Sequence, residues 1–534
     1  MNMAIGSRST ICVLALAAAV GLSSCARKQE ASVQLQMSPA VFDLGDGKFE
    51  FAERGYLFVP ENRSKPESAT IGVHFMRFRS TAAQPGTAIF MMAGGPGSSL
   101  IPALTEGTAG LGKPAEGNFK VALQMLEDLR SAADVVVIDQ RGAGLSIPQM
   151  DCPNLQRVAP FDELFSESKY TESYQQYVRD CKQAWAQQGR DIDGYHALQL
   201  ADDVDDLRRA LGYQKISLWG GSFGSEWGLV TLRRHPEIIE RVVWRGLEGI
   251  QHTYDSPTGI MTSVEAILAQ AQLDPDIAAR VPKEGFVAAV RRRIEELGAA
   301  PVTVAATDPV TGAPVQVVIG ADELRLAWRS PVTRRGPQAW PGTLLAILDG
   351  DLSEVAKSTL KSKGYFITSP VGNHMAMHMA IDCGLSPTPE RRKELASDPA
   401  VELIGNINLP YFSFCDAWQA PNIQAEWLQP LRSDIPALFV HGTWDLSTPL
   451  QNAKEVAAGF SKGHLLVVEG GTHDVIGDLY REQPDTIRPL VRRFFAGQPI
   501  DDAPDQVSLP AVDFTAPPAK PAGRDKASGA RQST

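Results

Sequence analysis

The chain has 534 residues, 43% of them hydrophobic and 21% charged, with a formal net charge of −11. That size and composition describe a globular protein larger than one small domain, and they exclude collagen-like and repeat architectures. The negative charge, with no basic stripe, argues against a nucleic-acid surface.

At the N-terminus, Arg8 supplies a positive charge and Ile11 to Leu22 form an apolar run of twelve residues. The run is too short to span a bilayer and has the length of a secretory signal core. Leu22-Ser23-Ser24-Cys25 then resembles the bacterial lipobox. Residues 1–24 are therefore expected to be a lipoprotein signal peptide, with Cys25 lipidated as the first mature residue. That resemblance implies a lipid anchor in a bacterial membrane facing the periplasm, and Ala26 rather than Asp after the cysteine implies the outer membrane. Residues 25–45 are polar and irregular and read as a tether.

Short apolar runs bounded by turn residues follow: Tyr56 to Val59, Ile71 to Phe78, Ala88 to Met92, Val135 to Asp139, Ile216 to Trp219 and Arg241 to Trp244. The first two predict an antiparallel hairpin turning at Pro60-Glu61-Asn62. The others are nearly continuous apolar and β-branched stretches, as expected of strands buried on both faces of a mostly parallel sheet. Ala201 to Leu211 predicts a helix, with Asp202, Asp203, Asp205 and Asp206 in its early turns, Arg208 and Arg209 in its later ones, and Gly212 closing it. Residues 46–247 thus form the first part of an α/β core.

From 248 to 430 the alternation of strand and helix stops and the pattern turns mainly helical. Arg291 to Leu297 is one helical stretch, and Val302 to Ile319 reads as a hairpin turning at Thr311-Gly312. Strands return at Pro436 to His441 and His464 to Glu469, within a second core part spanning 431–500. An insertion here makes a cap over the carboxyl edge of the sheet, where open α/β sheets bind ligands. Residues 501–534, rich in Pro, Ala and Asp and then Lys and Arg, are expected to be disordered. With Cys12 removed and Cys25 acylated, Cys152, Cys181, Cys383 and Cys415 remain. In an oxidising compartment these suggest two disulfides with three possible connectivities, of which the sequence-local Cys152–Cys181 and Cys383–Cys415 is favoured.

The chemistry centres on Gly220-Gly221-Ser222-Phe223-Gly224, which follows the run Ile216 to Trp219 and opens a helix-like stretch. Small residues around the serine suit a strand-to-helix turn too tight for side chains, with the hydroxyl pushed out above the sheet. A serine needs a base held by a third group. Asp445 follows the strand ending at His441, and His473 follows the strand ending near Glu469, giving the chain order Ser, Asp, His of the α/β-hydrolase fold. Asp434 and Asp474 are weaker candidates for the acid. Asp434 precedes its strand, at the wrong end of the sheet, and Asp474 adjoins His473 too closely along the backbone. Backbone donors for an oxyanion are expected at Phe223, after the nucleophile, and at Gly95 in Ala93-Gly94-Gly95-Pro96-Gly97. Pro96 has no N–H to offer.

Gly94-Gly95-Pro96-Gly97, Asp139-Gln140-Arg141-Gly142-Ala143-Gly144-Leu145-Ser146 and Gly220-Gly221-Ser222-Phe223-Gly224, together with Asp445 and His473, resemble the prolyl aminopeptidase and tripeptidyl aminopeptidase group of α/β-hydrolases. The likeness covers most of residues 50 to 500. It implies a serine hydrolase that removes residues from the free N-termini of short peptides through a Ser-His-Asp triad and an acyl-enzyme. Ala93 stands where prolyl aminopeptidases carry His, and export together with Cys383 and Cys415 is closer to the tripeptidyl branch. The group also contains esterases, so an esterase acting on small acyl esters is the alternative. The complete set Ser222, Asp445 and His473 argues against a binding protein that has lost turnover. Asp139 and Arg141 are expected to brace the loops near the oxyanion site.

An exopeptidase must recognise an ammonium group, most simply with a carboxylate. Glu248, where the cap begins, is the first candidate, and Glu226, one turn into the nucleophile helix, is the second. His374 and His378 have the i, i+4 spacing of zinc ligands, but Met375-Ala376-Met377 between them offers no glutamate base, so a packed cap helix is expected instead. Trp219, Trp227, Trp244 and Trp444 are expected to pack beneath the site. No phosphate loop, metal site or dinucleotide fingerprint stands out, and neither metal nor cofactor is expected.

Overall fold

The computed structural model describes residues 33–45, 48–101, 116–150, 152, 157–252, 254–327, 337–364, 375–420 and 425–515. The expected signal peptide, Cys25, His374 and the chain after 515 lie outside them. Twelve strands are present among these residues: β1 (Gln34–Gly45), β2 (Lys48–Pro60), β3 (Thr70–Phe78), β4 (Ile89–Met92), β5 (Val135–Ile138), β6 (Ile216–Ser222), β7 (Ile239–Leu247), β8 (Val302–Thr307), β9 (Pro314–Ile319), β10 (Ala437–Gly442), β11 (Gly463–Glu469) and β12 (Gln506–Ser508). Ten of them form one sheet in the order β1-β2-β3-β5-β4-β6-β7-β10-β11-β12. The pairs from β1 to β5 are antiparallel, and those from β5 through β4 to β12 are parallel. This is the α/β-hydrolase fold.

Period two explains why the central strands are apolar throughout. Phe90 and Met92 of β4 and Val136 and Ile138 of β5 enter one core, while Ile89, Met91, Val135 and Val137 enter the core on the opposite face. Each such side chain contributes about 1.5–3 kcal/mol when fully buried. Helix α1 (Glu116–Arg130) contributes to the second core. Helices α2 (Glu167–Gln187), α3 (Ala197–Ala210) and α4 (Phe223–Arg234) contribute to the first.

Between β7 and β10 the chain is mostly helical and includes α5 (Met375–Gly384) and α6 (Leu409–Trp418), with β8 and β9 as a separate antiparallel pair. This insertion has its own core, around Ile260, Val264, Val290, Ile294, Val317 and Trp340. The same cluster takes in Trp444 and Leu446, the two neighbours of Asp445 in the chain, so the loop carrying Asp445 shares the core of the cap. After β11, helix α7 (Val475–Glu482) begins two residues beyond His473, with Asp474 at its N-cap.

Two parts of the chain differ from the sequence expectation. The tether assigned to 25–45 contains β1, which pairs with β2 from Gln34↔Phe58 to Gly45↔Lys48. It is an edge strand with much of its length in water, so its polar residues are compatible with a strand. The tail assigned as disordered from 501 is ordered through Thr515. β12 pairs with β11, and Phe514 packs on Trp444 with ring centroids 6.1 Å apart. The disulfides Cys152–Cys181 and Cys383–Cys415 are both present.

Candidate active site

Ser222 ends β6 and begins α4 with φ 55° and ψ −136°, a conformation that costs a non-glycine residue about 1–3 kcal/mol and that the surrounding packing must hold. The glycines around it are required by close approach. A Cβ on Gly220 would lie 2.3 Å from the Gly224 carbonyl oxygen, and one on Gly224 would lie 2.4 Å from that of Met92. Ser225, one turn on, donates its hydroxyl to the Ser222 carbonyl at 2.6 Å. Ser222 is half-buried, and its own hydroxyl makes no hydrogen bond among the described residues.

Asp445 and His473 meet at the carboxyl ends of β10 and β11. His473 Nδ1 lies 2.9 Å from Asp445 Oδ2 and 3.0 Å from Oδ1, which places the ring proton on Nδ1 as donor. Asp445 is wholly buried. It also accepts from the Ser447 amide at 2.9 Å and from the Thr448 amide and hydroxyl, each at 2.8 Å. Burial alone would raise its pKa. The imidazole of His473 and these donors outweigh that and hold the carboxyl well below the usual range. Asp474 instead takes Arg481 at 3.1 Å, and Asp434 is exposed ahead of β10.

Register brings the nucleophile to the same edge. Ser222 pairs with Leu247 across β6 and β7. One residue earlier, a Cβ on Gly246 would lie 3.0 Å from His473 Nδ1, so only glycine leaves room for the imidazole there.

The loop after β4 closes over the serine: a Cβ on Gly94 would sit 3.2 Å from Ser222 Cβ. Gln140, fully buried, holds this loop. Its amide donates to the Ala93 and Gly94 carbonyls at 3.2 and 3.1 Å and accepts from the Gly97 amide at 2.7 Å. Bracing was expected from Asp139 and Arg141, which act elsewhere. Asp139 binds His74 and the Leu145 amide, and Arg141 binds Asp203 and the carbonyls of Glu61 and Gly194. The amides of Gly95 and Phe223 belong to the two segments that converge on Ser222.

Glu248 follows β7, and its amide is held by the Ser225 hydroxyl at 2.9 Å, directly beside Glu226 on α4. Glu226 and Glu248 are both buried. A third carboxylate, Asp382 on α5, arrives from the cap. Burial and the nearby Glu248 charge push its carboxyl well above the usual range. Burial likewise raises the Tyr254 hydroxyl, which feels both Asp382 and Glu226 and lies 3.3 Å from Cys415 Sγ. The Cys383–Cys415 bridge ties α5, next to Asp382, to α6. Among the described residues no group of His, Cys, Asp or Glu is arranged to hold a metal ion.

Residues 90–288 match the alpha/beta hydrolase fold family, and residues 401–503 match the TAP-like protein family. The chain is 25% identical over 472 residues to a tripeptidyl aminopeptidase of Streptomyces coelicolor, covering 79% of this chain and 77% of that protein. This chain is an α/β-hydrolase of the tripeptidyl aminopeptidase group. The hydrolase is also 22% identical over 370 residues to the putative hydrolase YuaR of Escherichia coli K12, covering 65% of this chain and 68% of that one. A solved serine hydrolase from Cycloclasticus zankles covers 86% of this hydrolase and 99% of its own chain at 12% identity, with a TM-score of 0.34.

Asp382, Gln140 and Thr448 are the residues of this hydrolase's site that sequence reading passed over. Gln140 lies inside the Asp-Gln-Arg-Gly motif and was visible there. Asp382, in the apolar run Met375 to Cys383, carries no local signal of its partners.

Proposed function

We propose that the hydrolase is an aminopeptidase that cleaves short peptides from a free N-terminus, with Ser222 as nucleophile, His473 as base and Asp445 as its orienting acid. Ser222 Oγ attacks the scissile carbonyl while His473 Nε2 takes its proton. His473 then protonates the leaving amine, and a water activated by the same imidazole hydrolyses the acyl-enzyme. The amides of Phe223 and Gly95 stabilise the oxyanion, each such donor being worth about 10²–10³ in rate.

The observation that carries the exopeptidase reading is the convergence of Glu226, Glu248 and Asp382 beside the nucleophile elbow. Glu248 acts on the Asp382 carboxyl, and Asp382 and Glu226 both act on the Tyr254 hydroxyl, so acidic groups gather at one place beside the elbow. Such a gathering favours a cation, and a peptide's terminal ammonium is one. Glu248→Gln tests this. With free-amine peptide amides, kcat/KM should fall about 10²-fold, the loss of one charge-assisted bond. With p-nitrophenyl acetate it should hold. An equal loss on both substrates refutes the ammonium role.

We further propose that the protein is exported and anchored by a lipid on Cys25, facing the periplasm. Leu22-Ser23-Ser24-Cys25 supports this, and the two disulfides suit an oxidising compartment. Metabolic labelling with radioactive palmitate should mark the wild type and not Cys25→Ala. Absence of label in the wild type refutes the anchor.

A further inference from the structure

We propose that His441 is a positioning residue of this site: a neutral imidazole that ties the Asp445 turn to the end of β7, beside Ser222. The inference rests on the triad reading above and assigns a residue to it that no sequence motif singled out.

His441 lies at the end of β10 and is fully buried. Its Nδ1 accepts from the Leu247 amide at 3.0 Å, and its Nε2 lies 2.7 Å from the Thr448 carbonyl oxygen. An amide only donates and a carbonyl only accepts, so the two bonds fix the tautomer from both sides: Nδ1 bare, Nε2 protonated. A second proton on Nδ1 would point at the Leu247 N–H. The titratable groups facing the ring are Asp445, whose Oδ2 is 3.6 Å from Nε2, and His473. Burial holds the imidazole below its ordinary pKa against the pull of Asp445.

The two anchors are what give the residue its role. Thr448 is the hub of the acid turn, donating both its amide and its hydroxyl to Asp445 at 2.8 Å. Leu247 is the strand partner of Ser222 and precedes Glu248. One side chain therefore joins the turn that aims Asp445 at His473 to the strand that flanks the nucleophile. Without the Nε2–H donor, the buried Thr448 carbonyl loses this partner and the turn can rotate, taking the carboxylate out of line with His473 Nδ1.

Two conservative variants separate the two bonds. In His441→Gln the terminal amide reaches the place of Nε2 and can still donate to Thr448. In His441→Asn the shorter side chain reaches only the place of Nδ1 and can accept from Leu247. We expect His441→Asn to lower kcat on a free-amine tripeptide amide about 10- to 100-fold with KM nearly unchanged, less than the about 10⁴-fold lost when a triad acid fails. Fluorophosphonate labelling of Ser222 should slow by the same factor, and His441→Gln should recover most of both rates.

Unchanged kcat in folded His441→Asn, or a rise in KM alone, overturns the proposal, as does equal failure of both variants that are shown to fold. Ser222→Ala measured beside them keeps the two readings apart. Activity that survives Ser222→Ala sinks the triad itself, whereas activity lost there and untouched in His441→Asn sinks only His441. Should neither His441 variant fold, nitrogen-15 spectra of the wild type decide. The imidazole coupled across a hydrogen bond to the Leu247 amide should be a neutral Nε2–H tautomer near pH 6, and an imidazolium there overturns the assignment.

Discussion

Replacing Asp445 with Asn tests the orienting role of the acid with almost no change in shape. The carboxylate accepts from four donors: the Ser447 amide, the Thr448 amide, the Thr448 hydroxyl and His473 Nδ1. Asparagine can keep its oxygen where Oδ1 is and so retain the two amide bonds. Its NH₂ then occupies the place of Oδ2, facing the hydroxyl of Thr448, which can turn to accept, and His473 Nδ1, whose proton it repels. The remaining oxygen at the place of Oδ1, 3.0 Å from Nδ1, is already bonded to two amides. The imidazole is driven to the Nε2–H tautomer and presents a proton to Ser222 instead of a lone pair. We expect kcat to fall about 10⁴-fold, which is about 5.4 kcal/mol of transition-state stabilisation. The folded state should survive, and its pH dependence should change in a defined direction. The Asp445 pKa is depressed in the folded protein, so its contribution to stability is present above the ordinary carboxylate pKa of about 3.9 and is lost as pH falls below it. Asp445→Asn should therefore flatten acid unfolding below about pH 4. Steady-state kinetics and acid titration of circular dichroism read the two effects. A fall in kcat of less than about tenfold, in a variant that folds, refutes the orienting role.

Glycine substitutions at the elbow should differ sharply. A Cβ on Gly224 meets the backbone oxygens of Met92 and Ala93 at 2.4 and 3.0 Å, whereas one on Gly221 meets only the Arg245 side chain at 2.9 Å. Gly224→Ala should cost about 3 kcal/mol or more and Gly221→Ala within about 1 kcal/mol, measured by denaturant unfolding. Equal effects would mean that the β4 backbone yields. Removing the Cys383–Cys415 bridge by Cys415→Ser opens a loop of sequence separation 32 and should destabilise the cap by about 4 kcal/mol. Because the bridge adjoins Asp382, reduction should also raise KM for free-amine peptides more than for esters. A KM that rises equally for both would separate the bridge from the carboxylate site.

The sequence was most legible where local pattern and burial coincide. Ala88 to Met92, Val135 to Asp139 and Ile216 to Trp219 are apolar throughout because both faces of their strands are covered, and the Gly-rich turn after the last is forced by contacts of 2.3 to 2.4 Å. β1 was missed because an edge strand with polar residues in water reads like a linker. Phe514 was missed because one aromatic in a polar run has no local partner, and Trp444, which it covers, lies seventy residues earlier. In the site, Asp139 and Arg141 drew attention as charged residues, while the loop is held by Gln140 between them. Asp382 was illegible for a different reason: Glu248, which acts on it, and Tyr254, which feels it together with Glu226, are brought near it only by the packing of cap on core.

The most direct test of the account compares Ala-Ala-Pro-p-nitroanilide with its N-acetylated form, using wild type and Ser222→Ala. We predict that the wild type cleaves the free-amine substrate at least about 100-fold better than the acetylated one, since acetylation removes the charge-assisted bond from the ammonium to the carboxylates. We predict that Ser222→Ala abolishes both activities. Cleavage that survives Ser222→Ala, or equal cleavage of the two substrates, would contradict the proposal of a serine aminopeptidase.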